Sequence, residues 1–111
     1  MKTKNYIVEY TKKAKNDVDE VYDTIVSKYY DIFAAKKAAD KINYAIYNII
    51  PFPEAYPLIE DEFLKLKGIR VKKIRKYNIY YIVKDDVVVI LMVSNSKRSF
   101  MNVVDELVKR I

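Results

Sequence analysis

The run from Val87 to Val93 constrains the fold more than any other part of the chain. All of its residues are apolar and most are β-branched, which is typical of a β-strand. Because the run does not alternate with polar residues, we expect it to be covered on both faces, in the middle of a sheet. Tyr77 to Val83 supplies a second strand, and Lys84-Asp85-Asp86 predicts the turn between the two.

A strongly cationic segment precedes these two strands. It begins at Lys65 and includes Gly68, the only glycine, which is predicted to open a further strand. Lysines or arginines occupy seven of the twelve positions from Lys65 to Lys76: Lys65, Lys67, Arg70, Lys72, Lys73, Arg75 and Lys76.

The alternation of apolar residues slips within this cationic strand. Ile69 and Val71 share one parity, whereas Ile74 has the other. A β-bulge or a strong bend near Lys72-Lys73 would reconcile the two halves. We therefore expect four side chains to point the same way beyond the bend: Lys73, Arg75, Tyr77 and Tyr81.

The N-terminal half predicts a short strand and two helices. Asn5 to Tyr10 alternates as a strand, and apolar residues at three- and four-residue steps predict helices from about Lys12 to Tyr30 and from about Ile32 to Ile50. Thr11 and Asp31 are suitable caps for these helices. The very short connection between them predicts an antiparallel helical hairpin.

A last helix follows the polar loop Ser94 to Arg98, with Ser99 as its cap. The predicted order is β-α-α-β-β-β-α, which describes an α+β fold: a small antiparallel sheet with the helical hairpin on one face. The chain has 111 residues, which suits a single domain over residues 1–111.

The residue types that are missing exclude several kinds of site. The chain has no cysteine, which excludes disulfides and cysteine-based zinc sites, and no histidine, the commonest metal ligand and general base. The acids of the first helix (Asp17, Asp19, Glu20 and Asp23) are expected to form a solvated face. Glu60, Asp61 and Glu62 are interpreted as a solvated loop rather than a metal site, so we predict no metal and no cofactor.

The hydropathy pattern bears on location. No apolar run approaches the ~18 residues of a membrane span, and Met1 to Asn5 leads into no signal-peptide core. We therefore expect a soluble, cytoplasmic protein that does not bind membranes.

The charge distribution favours an anionic partner. The net charge is +6, and the cations of the ribbon are interleaved with aromatic residues, which suits phosphate contacts and base stacking. The competing interpretation is a solvated sheet edge whose lysines prevent strand pairing. On the first interpretation the predicted RNA-binding residues are Arg70, Lys72, Lys76, Tyr77 and Lys97.

An enzyme built from these residues would need unusual proton donors and acceptors. Without histidine or cysteine, an RNA-cleaving site would use Tyr, Lys or Glu for proton transfer and arginine for charge stabilisation. Arg75 and Arg98 are candidates for the arginine role. Lys73 or a neighbouring tyrosine would transfer the proton if nearby cations lowered its pKa. The spacing alone leaves open whether the chain catalyses anything.

Several segments in order resemble one family. They are Tyr6 to Thr11 followed by Ala14 and Asp17-Val18, Pro51 after the helical hairpin, Gly68-Ile69-Arg70, the strand Tyr77 to Val83, and the apolar strand leading to Lys97-Arg98. Together they resemble the RelE/ParE superfamily of toxins from type II toxin–antitoxin modules, over essentially the whole chain.

The resemblance implies a small basic toxin that a cognate antitoxin neutralises. Members that resemble RelE are metal-independent endoribonucleases that cleave mRNA in the ribosomal A site, with basic residues of the sheet and a C-terminal tyrosine or histidine. Members that resemble ParE inhibit DNA gyrase, and an inactive antitoxin-binding homologue is a third alternative. By position, Arg75 and Arg98 match the arginines of the family and Lys73 is a further basic residue. Phe100 to Val104 contains no tyrosine or histidine, and the long hairpin is more similar to ParE.

Overall fold

The computed structural model describes residues 5–111. The prediction that Met1 to Asn5 leads into no signal-peptide core falls mostly on Met1 to Lys4, which lie outside the described residues. The α+β class is confirmed, with one short helix, α3, that the sequence did not predict. The elements in chain order are β1 (Ile7–Tyr10), α1 (Lys12–Tyr29), α2 (Ile32–Tyr47), α3 (Glu62–Leu66), β2 (Arg70–Lys73), β3 (Tyr77–Lys84), β4 (Val87–Asn95) and α4 (Phe100–Arg110).

The four strands form one sheet in the order β1-β4-β3-β2. The apolar strand β4 lies between β1 and β3, which confirms its predicted central position. β3 is antiparallel to both β2 and β4, but β1 runs parallel to β4, so the sheet is mixed rather than wholly antiparallel. Thr11 alone connects β1 to α1, because it follows the last residue of β1 and caps the helix. The direction of β1 is therefore tied to the position of α1, which packs over β4.

Side-chain caps begin the three longer helices at the predicted residues. Thr11, Asp31 and Ser99 each accept a hydrogen bond from the backbone amide three residues later. α1 and α2 are joined by Tyr30 in the left-handed conformation, with a φ of 52°. α2 ends at Tyr47, three residues earlier than predicted, because the chain turns there. None of the described helices is both long and apolar enough to span a membrane.

The sheet has an apolar core on each face. The hairpin face, which α1 and α2 cover, buries Ile79, Tyr81 and Ile90 among others. The α4 face, which α4 and the chain around α3 cover, buries Tyr80 and Leu91 among others. Tyr80 pairs with Met92 while Tyr81 pairs with Ile90, so Leu91 is an extra residue that forms a β-bulge in β4.

The apolar residues of the cationic segment pack on opposite faces of the sheet, which explains the apparent slip: Ile69 and Val71 belong to the α4-face core, and Ile74 packs against the hairpin-face core. β2 ends at Lys73, and the amide of Ile74 donates to the carbonyl of Tyr77 at 2.9 Å. Arg75 and Lys76 therefore lie in the turn between β2 and β3. Of the two predicted alternatives the bulge at Lys72-Lys73 is wrong, whereas a sharp bend does follow, at Arg75 and Lys76. Gly68 lies just before β2 with a φ of 80°, a conformation that favours glycine after a helix.

An ion pair covers the edge of β4 beyond the end of β1. Asp17 of α1 accepts a hydrogen bond from the amide of Val93, and Arg110 of α4 donates to the carbonyl of Leu91. The guanidinium of Arg110 also donates two bonds to the carboxylate of Asp17, at 2.6 and 2.9 Å. The prediction that Asp17 belongs to a solvated face is therefore wrong: it joins α1, β4 and α4.

Candidate functional site

Four cations meet at one end of the sheet. The amide of Ser96 donates to the carbonyl of Lys76 at 2.9 Å, which holds the loop after β4 beside the turn between β2 and β3. All four cations are exposed, and none forms an ion pair within residues 5–111. Unpaired cations close together attract a polyanion. They are Arg75, Lys76, Lys97 and Arg98.

A depression of about 260 Å³ lies beside this end of the sheet, on the α4 face. The segment from Pro57 to Glu60 forms one side, and Phe100 and Val103 of α4 form another. Apart from Glu60, the polar residues that line it come from both strands of the β2–β3 hairpin and from the loop after β4. They are Lys73, Asn78, Tyr80, Ser96 and Arg98.

Of the three predicted catalytic residues, the depression contains two. Lys73, opposite Asn78 in the pairing of β2 with β3, and Arg98 both line it. Arg75 does not, because β2 ends at Lys73 and the strand alternation does not continue to Arg75. The predicted shared face of Lys73 and Arg75 is therefore wrong, and Arg75 belongs with the exposed cations at the end of the sheet.

Two of the predicted RNA-binding cations hold the fold together on the hairpin face. The ammonium of Lys72 donates to the carbonyl of Ala45 at 2.7 Å and lies 5.0 Å from the ring centre of Tyr56. Arg70 donates to the carbonyl of Tyr56, also at 2.7 Å. Both side chains point away from the depression, since residues 70 and 72 share a strand parity that Lys73 does not.

Two tyrosines expected beside Lys73 also lie on the hairpin face. Tyr77 is partly buried against the core of that face, and burial raises the pKa of its phenol. Tyr81 is fully buried and donates to the carbonyl of Pro53. Burial raises the pKa of Tyr81 strongly, so this phenol stays protonated. The expectation that these tyrosines share a face with Lys73 is wrong.

Tyr80 is the residue of the depression that the sequence interpretation missed. Its side chain is buried, and its hydroxyl accepts a hydrogen bond from Nδ2 of Asn78 at 3.4 Å. Burial raises the pKa of the Tyr80 phenol, while the Asn78 bond and the charge of Arg98 act in the opposite direction. The alternation in Tyr77 to Val83 separates Tyr80 from Tyr81, but the face could be assigned only once the turn before Tyr77 was located.

The three adjacent acids after the second helix have separate environments. Asp61 caps α3 by accepting the amide of Leu64 at 2.9 Å. Glu60 lines the depression, and its exposed carboxylate lies 4.0 Å from the ammonium of Lys65. Residues 5–111 contain no group of three or more acidic, histidine or cysteine side chains arranged to hold a metal ion.

The fold and the cationic depression define the class of protein, and comparison with known families agrees. An α+β domain with a helical hairpin on one face of the sheet is the architecture expected of the RelE/ParE superfamily. The family model for the ParE toxin of type II toxin–antitoxin systems, parDE, matches residues 8–100. The chain therefore belongs to the ParE toxin family of type II toxin–antitoxin systems.

Solved structures show the same fold. A chain of the chromosomal ParDE system from P. aeruginosa matches with a TM-score of 0.70 and 21% identity, covering 82% of this chain and 96% of that one. A chain of the RelBE2 toxin–antitoxin complex from Mycobacterium tuberculosis matches with a TM-score of 0.57 and 21% identity, covering 82% and 98%. At this identity the likeness concerns the fold alone. No curated protein matches the chain.

Proposed function

We propose that this toxin acts in the cytoplasm by cleaving mRNA on the ribosome, and that the depression on the α4 face binds the phosphodiester. The observation that carries the proposal is the convergence of Lys73 and Arg98 on one concave surface that also contains Tyr80. Such a surface combines positive charge with a group that can transfer a proton, as metal-independent RNA cleavage requires.

The charges around the depression suit this role. Arg75, Lys76 and Lys97 are exposed at the rim of the same end of the sheet and attract the RNA backbone. Within the depression, Lys73 and Arg98 contact the non-bridging oxygens and stabilise the charge that develops on them. Removal of one such donor from an active site typically lowers the rate by about 100- to 1000-fold.

A cognate antitoxin is the second partner we propose. Both similar solved structures belong to toxin–antitoxin complexes. On this chain, Phe33 and Tyr44 of α2 expose most of their surface and border a shallow apolar groove. Lys36, Lys37 and Lys41 outnumber the single acid Asp40 around that groove, so its net positive charge suits an amphipathic segment with acidic residues.

Gyrase inhibition without catalysis is the second candidate function. It is favoured by Tyr30, which is 89% exposed at the tip of the helical hairpin and has a left-handed backbone that a bulky residue rarely adopts. Tyr29 beside it is 63% exposed. Exposed tyrosines on a rigid hairpin are suited to binding a protein surface, because aromatic residues dominate such contacts.

One experiment separates the two functions. The chain is induced in bacterial cells without antitoxin, and the 5′ ends of messages and the supercoiling of a plasmid are measured in the same samples. We expect new 5′ ends within translated messages before supercoiling changes. Arg98→Ala and Lys73→Ala should remove these cuts, whereas Lys84→Ala, an exposed cation at the other end of β3, should retain them.

Other results would contradict the proposal. Intact messages with gyrase-dependent DNA breaks would establish the second candidate, and the double substitution Tyr29→Ser with Tyr30→Ser should then abolish toxicity while Arg98→Ala does not. Growth with neither change would exclude both functions, provided that an antitoxin-binding assay or circular dichroism shows a folded chain.

A further inference from the structure

We propose that Tyr80 is a catalytic residue, whose phenol gives its proton to the 5′-oxygen that leaves when the bound phosphodiester is cleaved. This role rests on the proposed function. It places the proton donor in β3, the strand between β2 and β4, rather than in the C-terminal helix α4.

The position of Tyr80 brings its hydroxyl to the cations of the depression. Tyr80 pairs with Val71 of β2 and Met92 of β4, so the ring rises from the centre of the sheet on the α4 face. Tyr80 lines the depression together with Lys73 and Arg98, and its hydroxyl is 3.4 Å from Nδ2 of Asn78, which lines the depression as well. A phosphate held between these two cations would therefore lie over the phenol.

The hydrogen bonds of the tyrosines distinguish Tyr80 from its neighbour. Tyr81 donates its proton to the carbonyl of Pro53, and Tyr10 donates to Oδ1 of Asn43 at 2.8 Å. Tyr80 only accepts, from Asn78, and within residues 5–111 its proton has no acceptor. A buried hydroxyl normally donates as well as accepts, so a proton without an acceptor is available to a ligand.

The electrostatic environment suits a proton donor. Burial keeps the phenol protonated before the reaction, since it raises the pKa of Tyr80. The charge of Arg98 and the bond from Asn78 stabilise the phenolate once the proton has left. Arg98 itself cannot serve as the donor, because a guanidinium does not lose its proton in a protein.

The reaction balances with groups of the depression and water. The 2′-oxygen attacks phosphorus as its proton passes to the carboxylate of Glu60, which lines the depression. The bond between phosphorus and the 5′-oxygen breaks, and that oxygen takes the proton of Tyr80. The products are a 2′,3′-cyclic phosphate and a 5′-hydroxyl. Water then returns a proton to Tyr80 and removes one from Glu60.

A sulfur substitution in the message tests this role. Ribosomes are programmed with a message that has either oxygen or sulfur at the 5′-bridging position of the mapped cut. A thiolate leaves without a proton, so only the oxygen message needs a donor. We expect Tyr80→Phe to cleave the oxygen message about 100-fold more slowly than the wild-type chain, or slower still, and the sulfur message within a few-fold of it.

Control variants separate this role from others. Arg98→Ala should slow both messages, and Tyr10→Phe, the matched change at a tyrosine packed against the hairpin-face core, should slow neither. Equal slowing of both messages by Tyr80→Phe, or undiminished cleavage of the oxygen message, would overturn the role of Tyr80 while leaving the proposed function in place. A folded wild-type chain that cleaves neither message would instead remove the proposed function.

Discussion

The two faces of the β2–β3 hairpin contain the same residue types in opposite situations. On the hairpin face, Lys72 and Tyr81 both donate to backbone carbonyls. On the α4 face, Lys73 and Tyr80 line a depression, and neither donates to another described residue. The two lysines are adjacent in sequence, and so are the two tyrosines. Strand alternation alone therefore separates a residue that holds the fold from one that is free to bind a ligand.

The hairpin-face contacts satisfy groups that the helices leave unpaired. Ala45 is one of the last four residues of α2, whose carbonyls have no partner within the helix. The amide of Ile49, which would reach Ala45 in a longer helix, donates to Ile46 instead. Lys72 supplies the missing donor, and its positive charge also suits the C-terminal end of a helix.

The adjacent lysines give the largest expected difference. Lys73→Ala should lower the rate of mRNA cleavage by about 100-fold, because it removes a cation from the depression. Lys72→Ala should leave the rate nearly unchanged and lower the free energy of unfolding by about 1 to 3 kcal/mol, because it leaves the carbonyl of Ala45 without a donor. Cleavage of programmed ribosomes and urea unfolding measure the two effects.

The opposite pattern would end the comparison between the faces. If Lys72→Ala reduced cleavage as much as Lys73→Ala while the unfolding curves coincided, both lysines would contact RNA, and the bond from Lys72 to Ala45 would have no importance for the fold. Lys84→Ala, exposed and distant from both faces' contacts, should change neither quantity.

The pair of Asp17 and Arg110 joins the helices of the two faces, and its loss should have the next largest effect. Both side chains are largely buried, with 13% and 11% of their side-chain surface exposed. Arg110→Met leaves the carboxylate of Asp17 without a counter-charge, so we expect a loss of about 3 kcal/mol in the free energy of unfolding. Urea unfolding at neutral pH measures this loss.

A neighbouring exposed cation controls for charge. Lys109→Met removes the same charge from the same helix and should change the stability by less than about 0.5 kcal/mol. Equal effects of the two substitutions would mean that the pair contributes only to net charge, and that α4 is held by its apolar stripe alone.

Local patterns predicted the elements that depend on a few neighbouring residues. The apolar run of β4, the caps Thr11, Asp31 and Ser99, and the turn at Asp85-Asp86 were each predicted correctly. These features depend on the residues themselves and on their immediate neighbours.

The faces of the cationic strand required information that local patterns lack. In a strand that continued to Tyr77, Arg75 would lie two positions after Lys73 and therefore on the same face. Because β2 ends at Lys73, Arg75 lies in the turn instead. The bond from Ile74 to Tyr77 determines that end, and the charged residues around it do not reveal it. The contact of Asp17 with Arg110 spans 93 positions, and no periodicity links them.

The neighbouring tyrosines provide a smaller, structural version of the comparison. Tyr81→Phe leaves the carbonyl of Pro53 without its donor and should lower the free energy of unfolding by about 1 to 2 kcal/mol. Tyr80→Phe removes a hydroxyl whose proton has no acceptor in the described protein, so its loss should be under about 0.5 kcal/mol. Thermal and urea unfolding of both variants measure this, and a larger loss for Tyr80→Phe would show that its hydroxyl supports the fold.

The smallest expected effect is the pH dependence of the free energy of unfolding. A lower pH should weaken contacts of α4 and leave those of the hairpin face unchanged. Glu106 accepts a bond from Nε of Arg110 at 2.8 Å, and this bond lowers the pKa of its carboxyl below the ordinary value of 4.5. A lowered folded-state pKa adds stability above the unfolded value, and that stability is lost as the pH falls through the folded value. Glu106→Gln should therefore cost about 0.2 to 0.5 kcal/mol at pH 7 and almost nothing at pH 3.

Asp105→Asn, exposed on the same helix, should show no such difference, and a pH-independent cost of Glu106→Gln would mean that the carboxylate charge is unimportant. The bonds from Lys72 to Ala45 and from Tyr81 to Pro53 end on neutral carbonyls, so they do not change over this pH range.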